Sequence, residues 1–220
     1  MSRSPALSLT AAAALAAAAL LAPAADAQLR GGLAIGASGY TLTGGQKTEF
    51  TPRGALGARM WVEREIRAGI AVGTGVAYLA KGARGTARVG DLFPGESGPD
   101  RTLSLRLDAP YIEIPLTVSL DGPTLGPLRT QVYAGPFIGF RQDATLDYAV
   151  EGAPFVGRER DASVRPREVG GAGGLTLRMD ADAFGDLVAG VHVSGGVTNV
   201  RQSEPPLRTL GALVFVGVGF

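Results

Sequence analysis

Few residues in this sequence could perform chemistry. The chain has one histidine and no cysteine, which excludes thiolate zinc sites, disulfide frameworks and most histidine-based metal centres. His192 and Ser194 are two residues apart, so on a strand both side chains would lie on one face. A serine hydrolase also needs an orienting acid and an oxyanion site. We therefore interpret His192 as an interior histidine, hydrogen-bonded in a packed environment, and keep a lipid-modifying hydrolase as a third hypothesis.

Glu113 is the second candidate, because a carboxylate inside a β structure could act as a base or bind an ion. Arg59, Arg141 and Arg178 are predicted on the same interior face and offer simpler ion-pair partners. A buried charge without a partner would be costly, so an ion pair is the favoured role. We expect no catalytic residue, no metal site and no cofactor.

Composition excludes several classes of protein. Lys and Arg number 21 and Asp and Glu 20, for a formal net charge of +1, which argues against a nucleic-acid partner. Glycine accounts for 33 residues, but it follows no period of three and apolar residues make up 45% of the chain. A collagen and a disordered chain are therefore both excluded.

The first 27 residues are predicted to be a cleaved signal peptide. Arg3 supplies the positive start, Leu9–Ala22 is an apolar stretch broken only by Thr10, and the segment ends on small residues at Ala27. The apolar stretch is about 14 residues, shorter than the roughly 20 that a spanning helix needs. Residues 28–220 are then one domain, and any membrane crossing in it must use strands.

Alternation with a period of two dominates the rest of the chain. In residues 210–220 one face is wholly apolar, and similar alternation runs through 66–80, 111–120 and 187–197. We predict eight strands, at about 31–41, 53–63, 66–80, 103–120, 128–142, 167–180, 187–199 and 207–220. Short connections at 63–66, 121–127 and 180–186 alternate with longer ones around 43–52, 81–102, 143–166 and 199–206. This is typical of outer-membrane barrels with both termini in the periplasm.

A soluble barrel or a β-sandwich would show the same alternation, so the chemistry of the two faces must decide. One face is branched aliphatic, whereas the other mixes glycine with charged and aromatic residues. This pattern favours an eight-stranded antiparallel up-and-down transmembrane β-barrel, with the aliphatic face toward lipid and a lumen filled by side chains. The predicted lumen polar network consists of Arg59, Glu113, Arg141, Arg178 and His192. The alternation reverses near Asp108–Pro110, which predicts a bulge or a change of environment there.

Four segments resemble a known family. Tyr111-Ile112-Glu113-Ile114-Pro115-Leu116 resembles the Y-x-E-x-P strand of PorT-like outer-membrane β-barrel proteins, and Gly75–Ala83 is similar to the strand before it. Ala134–Gly139 and Val197–Val200 resemble two later strands. The resemblance extends over the mature chain and implies an eight-stranded transmembrane barrel without assigned chemistry.

The C-terminus carries an expected assembly signal. A terminal aromatic residue after alternating apolar residues is the pattern that the barrel-assembly machinery recognises, by pairing with the last strand. We predict this role for Val214, Val216, Val218 and Phe220.

The sequence therefore predicts an integral protein of the cell outer membrane that is not an enzyme. Its expected role is structural or is exerted through its extracellular loops; a narrow pore for small solutes is the alternative. Expected partners are outer-membrane lipid and, during biogenesis, the assembly machinery, while the partner of the loops is unknown. The loops at Arg84–Arg101 and Arg158–Glu168 mix both signs of charge, which favours a solvated surface, with contact to lipopolysaccharide phosphates or a partner as the alternative.

Overall fold

The computed structural model describes residues 29–44, 49–88, 102–150, 156–160, 164–181, 185–200 and 206–220. The predicted signal peptide lies outside these ranges. The strands are β1 (Leu29–Thr43), β2 (Glu49–Arg67), β3 (Ile70–Arg88), β4 (Thr102–Leu125), β5 (Leu128–Arg141), β6 (Thr145–Val150), β7 (Val156–Arg160), β8 (Arg167–Asp180), β9 (Asp186–Gly196) and β10 (Arg208–Gly219). In the described part of the chain, no helix has the length and apolar character to cross a membrane.

Eight strands form a closed antiparallel ring. Their order is β3-β2-β1-β10-β9-β8-β5-β4, and β4 pairs back with β3 to close the ring. The first and last ring strands meet along β1 and β10, where Gly31 and Phe220 exchange two backbone hydrogen bonds of 2.8 and 3.0 Å. The predicted all-β, up-and-down arrangement of eight strands is therefore confirmed. We call the space inside the ring the lumen.

The connections differ in length at the two ends of the ring. At the end that holds Leu29 and Phe220, β2 joins β3 and β4 joins β5 through two-residue turns. Gly69 and Gly126 occupy these turns with φ of 74° and 61°, a region that glycine enters without steric cost. β8 joins β9 at the same end through five residues, and the longest connections lie at the opposite end, which in outer-membrane barrels is extracellular.

The extracellular end carries more strand than the sequence predicted. β3 extends beyond Ala80 to Arg88 and pairs with the part of β4 before Pro110, which the sequence did predict as a strand. β6 pairs with this part of β4 and with β7. We call these parts of β3 and β4, with β6 and β7, the outer sheet. The prediction of a loop across 143–166 was wrong, because segment 145–150 pairs with the outer half of β4 and segment 156–160 pairs with 145–150. Alternation alone does not reveal these partners.

The expected irregularity near Asp108–Pro110 is a change of environment. The pairing of β3 with β4 keeps one register from Ala77 opposite Glu113 to Arg88 opposite Thr102, so it contains no bulge. Leu107 consequently faces inward, and only 7% of its surface is exposed. The outer half of β4 turns its leucine toward the interior because apolar residues cover the extracellular mouth of the lumen.

The two faces of the ring are those that the sequence predicted. On β10, Val216 is 62% exposed whereas the neighbouring Phe215 is 2% exposed. Aliphatic residues form an exposed belt around the outside of the ring. Its larger members include Leu33, Ile35, Leu56, Met60, Val76, Leu116, Val118, Val132, Val169, Leu175, Leu187, Val191, Val193, Leu210, Val214, Val216 and Val218.

Glycines on the lumen side make room for large side chains from other strands. A Cβ atom on Gly190 would lie 2.6 Å from the Phe215 ring, and one on Gly170 would lie 2.6 Å from the Phe137 ring. Real Cβ atoms do not approach other atoms so closely. The glycine content therefore reflects dense packing inside a narrow ring, as an eight-stranded barrel requires.

Candidate functional site

The most deeply buried charges of the described chain surround Lys81. Lys81 Nζ lies 2.6 Å from Glu113 Oε1 and 2.6 Å from Glu168 Oε2, and it donates a 3.2 Å hydrogen bond to Thr209 Oγ1. The Thr209 hydroxyl in turn donates to Glu168. The lysine and both glutamates are at most 1% exposed. We call these four residues the lysine cluster. They come from β3, β4, β8 and β10, so their contacts link strands on opposite sides of the ring.

Aromatic rings enclose the ammonium group. Lys81 Nζ lies 4.8 Å from the ring centre of Phe137, 5.2 Å from that of Tyr111 and 5.5 Å from that of Tyr40. Rings at these distances attract a cation through their π electrons. Two carboxylates, a hydroxyl and three aromatic rings thus compensate the lysine charge inside the lumen.

His192 and Ser194 touch the lysine cluster through Glu113. Ser194 Oγ donates to Glu113 Oε1 at 3.1 Å and is 2.9 Å from the Tyr40 hydroxyl, while His192 Nε2 lies 3.6 Å from Glu113 Oε2. In a serine hydrolase the histidine lies between the serine and the acid. Here the acid lies between them, and Ser194 is 1% exposed. The pair is therefore not arranged as a nucleophile and its base.

A second polar cluster fills the lumen nearer the termini. Arg178 Nη2 lies 2.8 Å from Glu63 Oε1. Gln131 Nε2 donates to the same oxygen at 3.0 Å, and Ser119 Oγ donates to Glu63 Oε2 at 3.2 Å. These residues form the glutamate cluster, and each is at most 5% exposed. Both oxygens of Glu63 have donors, so its buried charge is compensated.

Arg59 lies between the two clusters. Its guanidinium donates to the Tyr133 hydroxyl and lies 4.8 Å from the ring centres of Trp61, Tyr133 and Phe215. The Tyr133 hydroxyl is also 3.0 Å from His192 Nδ1. The remaining cavity at this level is about 10 Å³, no more than one water molecule requires. The lumen is therefore filled here.

The expected ion pair of Glu113 with an arginine was wrong. Glu113 pairs with Lys81, Arg178 pairs with Glu63, and Arg141 lies opposite Tyr111 at the outer end of the β4–β5 ladder. The sequence predicts a loop from Lys81 onward, but β3 continues through this residue and directs its side chain inward. Its spacing from Ala77 and Leu79, which are also buried, is the signal that could have identified it.

An apolar cap covers the extracellular side of the lysine cluster. Three hydrogen bonds join the segments of this cap: Tyr111 Oη to the Arg165 carbonyl at 3.2 Å, Arg165 N to the Val200 carbonyl at 2.6 Å, and Val200 N to the Leu207 carbonyl at 2.7 Å. The buried residues of the cap are Leu42, Ala83, Leu107, Ala109, Tyr111, Ala144, Val164, Val200 and Leu207. The described residues thus close the outer mouth of the lumen with both an apolar and an ionic layer.

The opposite mouth is a shallow polar vestibule of about 350 Å³. Arg30 Nη2 lies 2.7 Å from Glu65 Oε2, and Arg129 Nη2 lies 2.8 Å from Asp186 Oδ1. The vestibule ends at Arg178 of the glutamate cluster. Within the described ranges, histidine and acidic side chains form no group of three that could hold a metal ion.

The residues of the predicted assembly signal lie on the outside of the ring. Val214, Val216, Val218 and Phe220 are all exposed, and β10 pairs with β1 along its length. Their recognition by the assembly machinery stays a prediction.

The backbone is similar to those of several solved structures at 11% sequence identity. Neisserial surface protein A has a TM-score of 0.48 and an alignment over 89% of this chain and 99% of that chain. Ail of Yersinia pestis gives 0.42, with 88% and 99% covered, and the outer membrane protein OprG of Pseudomonas aeruginosa gives 0.41, with 87% and 94% covered. No family model and no curated protein matches the sequence.

The surface of the ring identifies the environment of the protein. Water does not solvate a continuous belt of exposed valine, leucine and isoleucine favourably, whereas acyl chains do. A closed ring of strands with such a belt is the form in which β proteins cross the bacterial outer membrane. The predicted localisation, the cell outer membrane, is confirmed.

Proposed function

We propose that the protein is a sealed transmembrane β-barrel that conducts no solute and acts through the outer sheet it holds beyond the membrane. The lysine cluster is the observation that carries this proposal. It crosses the lumen from β3 to β4, β8 and β10 with charges that are at most 1% exposed. The positions of Glu113 and Pro115 on β4 also support membership of the PorT-like family, which is part of the proposal.

A conducting path would have to break this cluster. Separating Lys81 from its two carboxylates inside the lumen leaves buried charges without partners, at a cost of several kcal/mol. The path would also have to displace Arg59 from its three aromatic rings and to open the apolar cap. The alternative of a narrow pore needs all these layers to open together.

The outer sheet is the part of the barrel that is available to a partner. β3 and β4 extend beyond the membrane-facing belt and carry the β6–β7 hairpin on the edge of β4. A barrel without a path or a catalytic pair can still present such a sheet at a fixed height and angle. We therefore infer an interaction role and no enzymatic activity.

Planar-bilayer recordings test the seal. We expect wild-type protein, folded in detergent and inserted into the bilayer, to give no stepwise conductance. A variant with Arg59, Tyr133 and Phe215 all replaced by alanine should also give no steps, because the lysine cluster and the apolar cap still lie across the lumen. Stepwise conductance by the wild-type protein would overturn the proposal in favour of a narrow pore.

A further inference from the structure

A cross-strand row of arginines runs over the outer sheet. Arg84 on β3 pairs with Arg106 on β4, Arg106 pairs with Asp147 on β6, and Asp147 pairs with Arg158 on β7. Residues that pair directly across antiparallel strands have their side chains on the same face. We call these four residues the arginine row.

The arginine row faces away from the lumen. Arg106 and Arg158 side chains are 44% and 71% exposed, and Arg84 is also exposed. The register of β3 with β4 is unbroken between the row and the ring, so the row lies on the same face as Tyr78 and Ile112. The outer surface that meets acyl chains therefore continues into the arginine row.

The row lies at the outer edge of the lipid headgroup layer. Pro110 pairs with Ala80, two residues beyond Tyr78, the outermost exposed large hydrophobic residue described on β3. Arg106 is four residues farther out, which is about 13 Å along a strand and about 10 Å along the membrane normal for a strand tilted by roughly 40°. The headgroup layer on each side of the hydrocarbon core is about 5–8 Å thick. The guanidinium groups thus reach the layer in which lipid phosphates lie and the space just outside it.

The face has more positive than negative charge. Among the side chains described on this face, Arg84, Arg106 and Arg158 stand against Asp108 and Asp147, and Arg53 of β2 adds a further positive charge beside Asp108. Arg158 binds both oxygens of Asp147, at 2.6 and 3.0 Å, and this hydrogen bonding lowers the pKa of the Asp147 carboxyl. Arg53 pairs with Asp108, which also lies 3.3 Å from Arg106 Nε.

Arg84 and Arg106 consequently keep donors available for a ligand. Within the described ranges Arg84 has no ion-pair partner, and Arg106 shares its aspartate with Arg53. Both arginines line a groove of about 400 Å³, together with Asp147 and the hydroxyl-bearing residues Thr51, Thr86 and Ser104. Guanidinium forks flanked by hydroxyls suit a phosphate group, which accepts two parallel hydrogen bonds from one arginine.

We propose that the arginine row binds the phosphate groups of the phosphorylated glycolipid in the outer leaflet of the outer membrane. The charge of the row, its height above the apolar belt and its continuity with the lipid-facing surface all fit this occupant. The inference rests on the proposed function, because it requires the outer sheet to be held outside the membrane. It names the partner of that sheet.

Glycolipid binding to the full chain tests the inference. The protein is folded into phosphatidylcholine nanodiscs, and binding is measured for diphosphoryl lipid A and for the same glycolipid without phosphates. We expect wild-type protein to prefer the diphosphoryl form. The double variant Arg84→Gln/Arg106→Gln should bind it about tenfold more weakly, with the loss reduced in high salt. Arg129→Gln, an exposed arginine at the opposite end, should bind like wild type.

Three results would overturn the inference: equal binding by the double variant and wild type, equal affinity for the phosphate-free glycolipid, or full competition by inorganic phosphate at equal concentration. Folding of each variant is checked by its heat-modifiable migration on gels. The conductance of the lumen is measured separately. Failure of glycolipid binding in a barrel that stays sealed would therefore contradict only this inference.

Discussion

Replacing Lys81 with methionine should destabilise the folded barrel by about 3–5 kcal/mol. Methionine retains most of the volume but removes the charge, so Glu113 and Glu168 would face each other in the lumen without their shared cation. Neither carboxylate is more than 1% exposed, and water cannot compensate them without opening the apolar cap. The measurement is the free energy of unfolding in urea from lipid vesicles.

The control for this substitution is Arg129→Met. Arg129 also forms an ion pair, with Asp186, but its side chain is 56% exposed, and exposed pairs contribute at most about 1 kcal/mol. If Lys81→Met lowers the free energy of unfolding by no more than Arg129→Met does, the lysine cluster does not stabilise the barrel.

A triple variant tests whether the lysine and the carboxylates act as a unit. Replacing Glu113 and Glu168 by glutamine in the Lys81→Met background removes the two unpaired charges. It should therefore be more stable than the sum of the separate substitutions predicts, by more than the roughly 0.5 kcal/mol that independent sites allow. If the losses of unfolding free energy are additive, the lysine and the two glutamates do not act as a coupled unit.

Placing an arginine at Val216 should cost about 2–4 kcal/mol in a bilayer. Val216 lies in the middle of the outward-facing positions of β10 and is 62% exposed, so a water-soluble protein would accept arginine there within about 0.5 kcal/mol. In a membrane the same side chain must enter the hydrocarbon layer. Unfolding in urea from lipid vesicles measures the difference.

Leu210→Arg is the matched control on the same strand and face. Leu210 is also exposed, but it lies near the extracellular end of β10, where the cost of arginine falls to about 0–1 kcal/mol. If both substitutions lower the free energy of unfolding by the same small amount, the aliphatic belt is not surrounded by a bilayer.

The sequence was sufficient to predict the eight strands of the ring and their faces. A period of two assigns every side chain in a strand to one of two faces, and in 210–220 the valines on one side and the glycines on the other leave little ambiguity. The exposure of Val216 and the burial of Phe215 follow directly from this pattern. The narrow lumen also follows from the glycines that lie against large side chains.

The contacts inside the lumen could not be predicted in the same way, because alternation does not fix the register between strands distant in sequence. Lys81 meets Glu168 across 87 positions and Thr209 across 128. Because the sequence pattern predicts Lys81 in a loop, arginines are the cations that it leaves as partners for Glu113. The β6–β7 hairpin was missed for a related reason, since its segments are short and gain their stability from the edge of β4.

The aliphatic belt can be tested most directly with tryptophan fluorescence in brominated lipid, since Trp61 is the single tryptophan of the chain. Trp61 lies in the lumen and is 8% exposed, so bromine on the acyl chains should quench wild-type fluorescence weakly. In a Trp61→Phe background, a tryptophan introduced at Val216 should be strongly quenched. Strong quenching of Trp61 together with an unquenched tryptophan at position 216 would contradict the account.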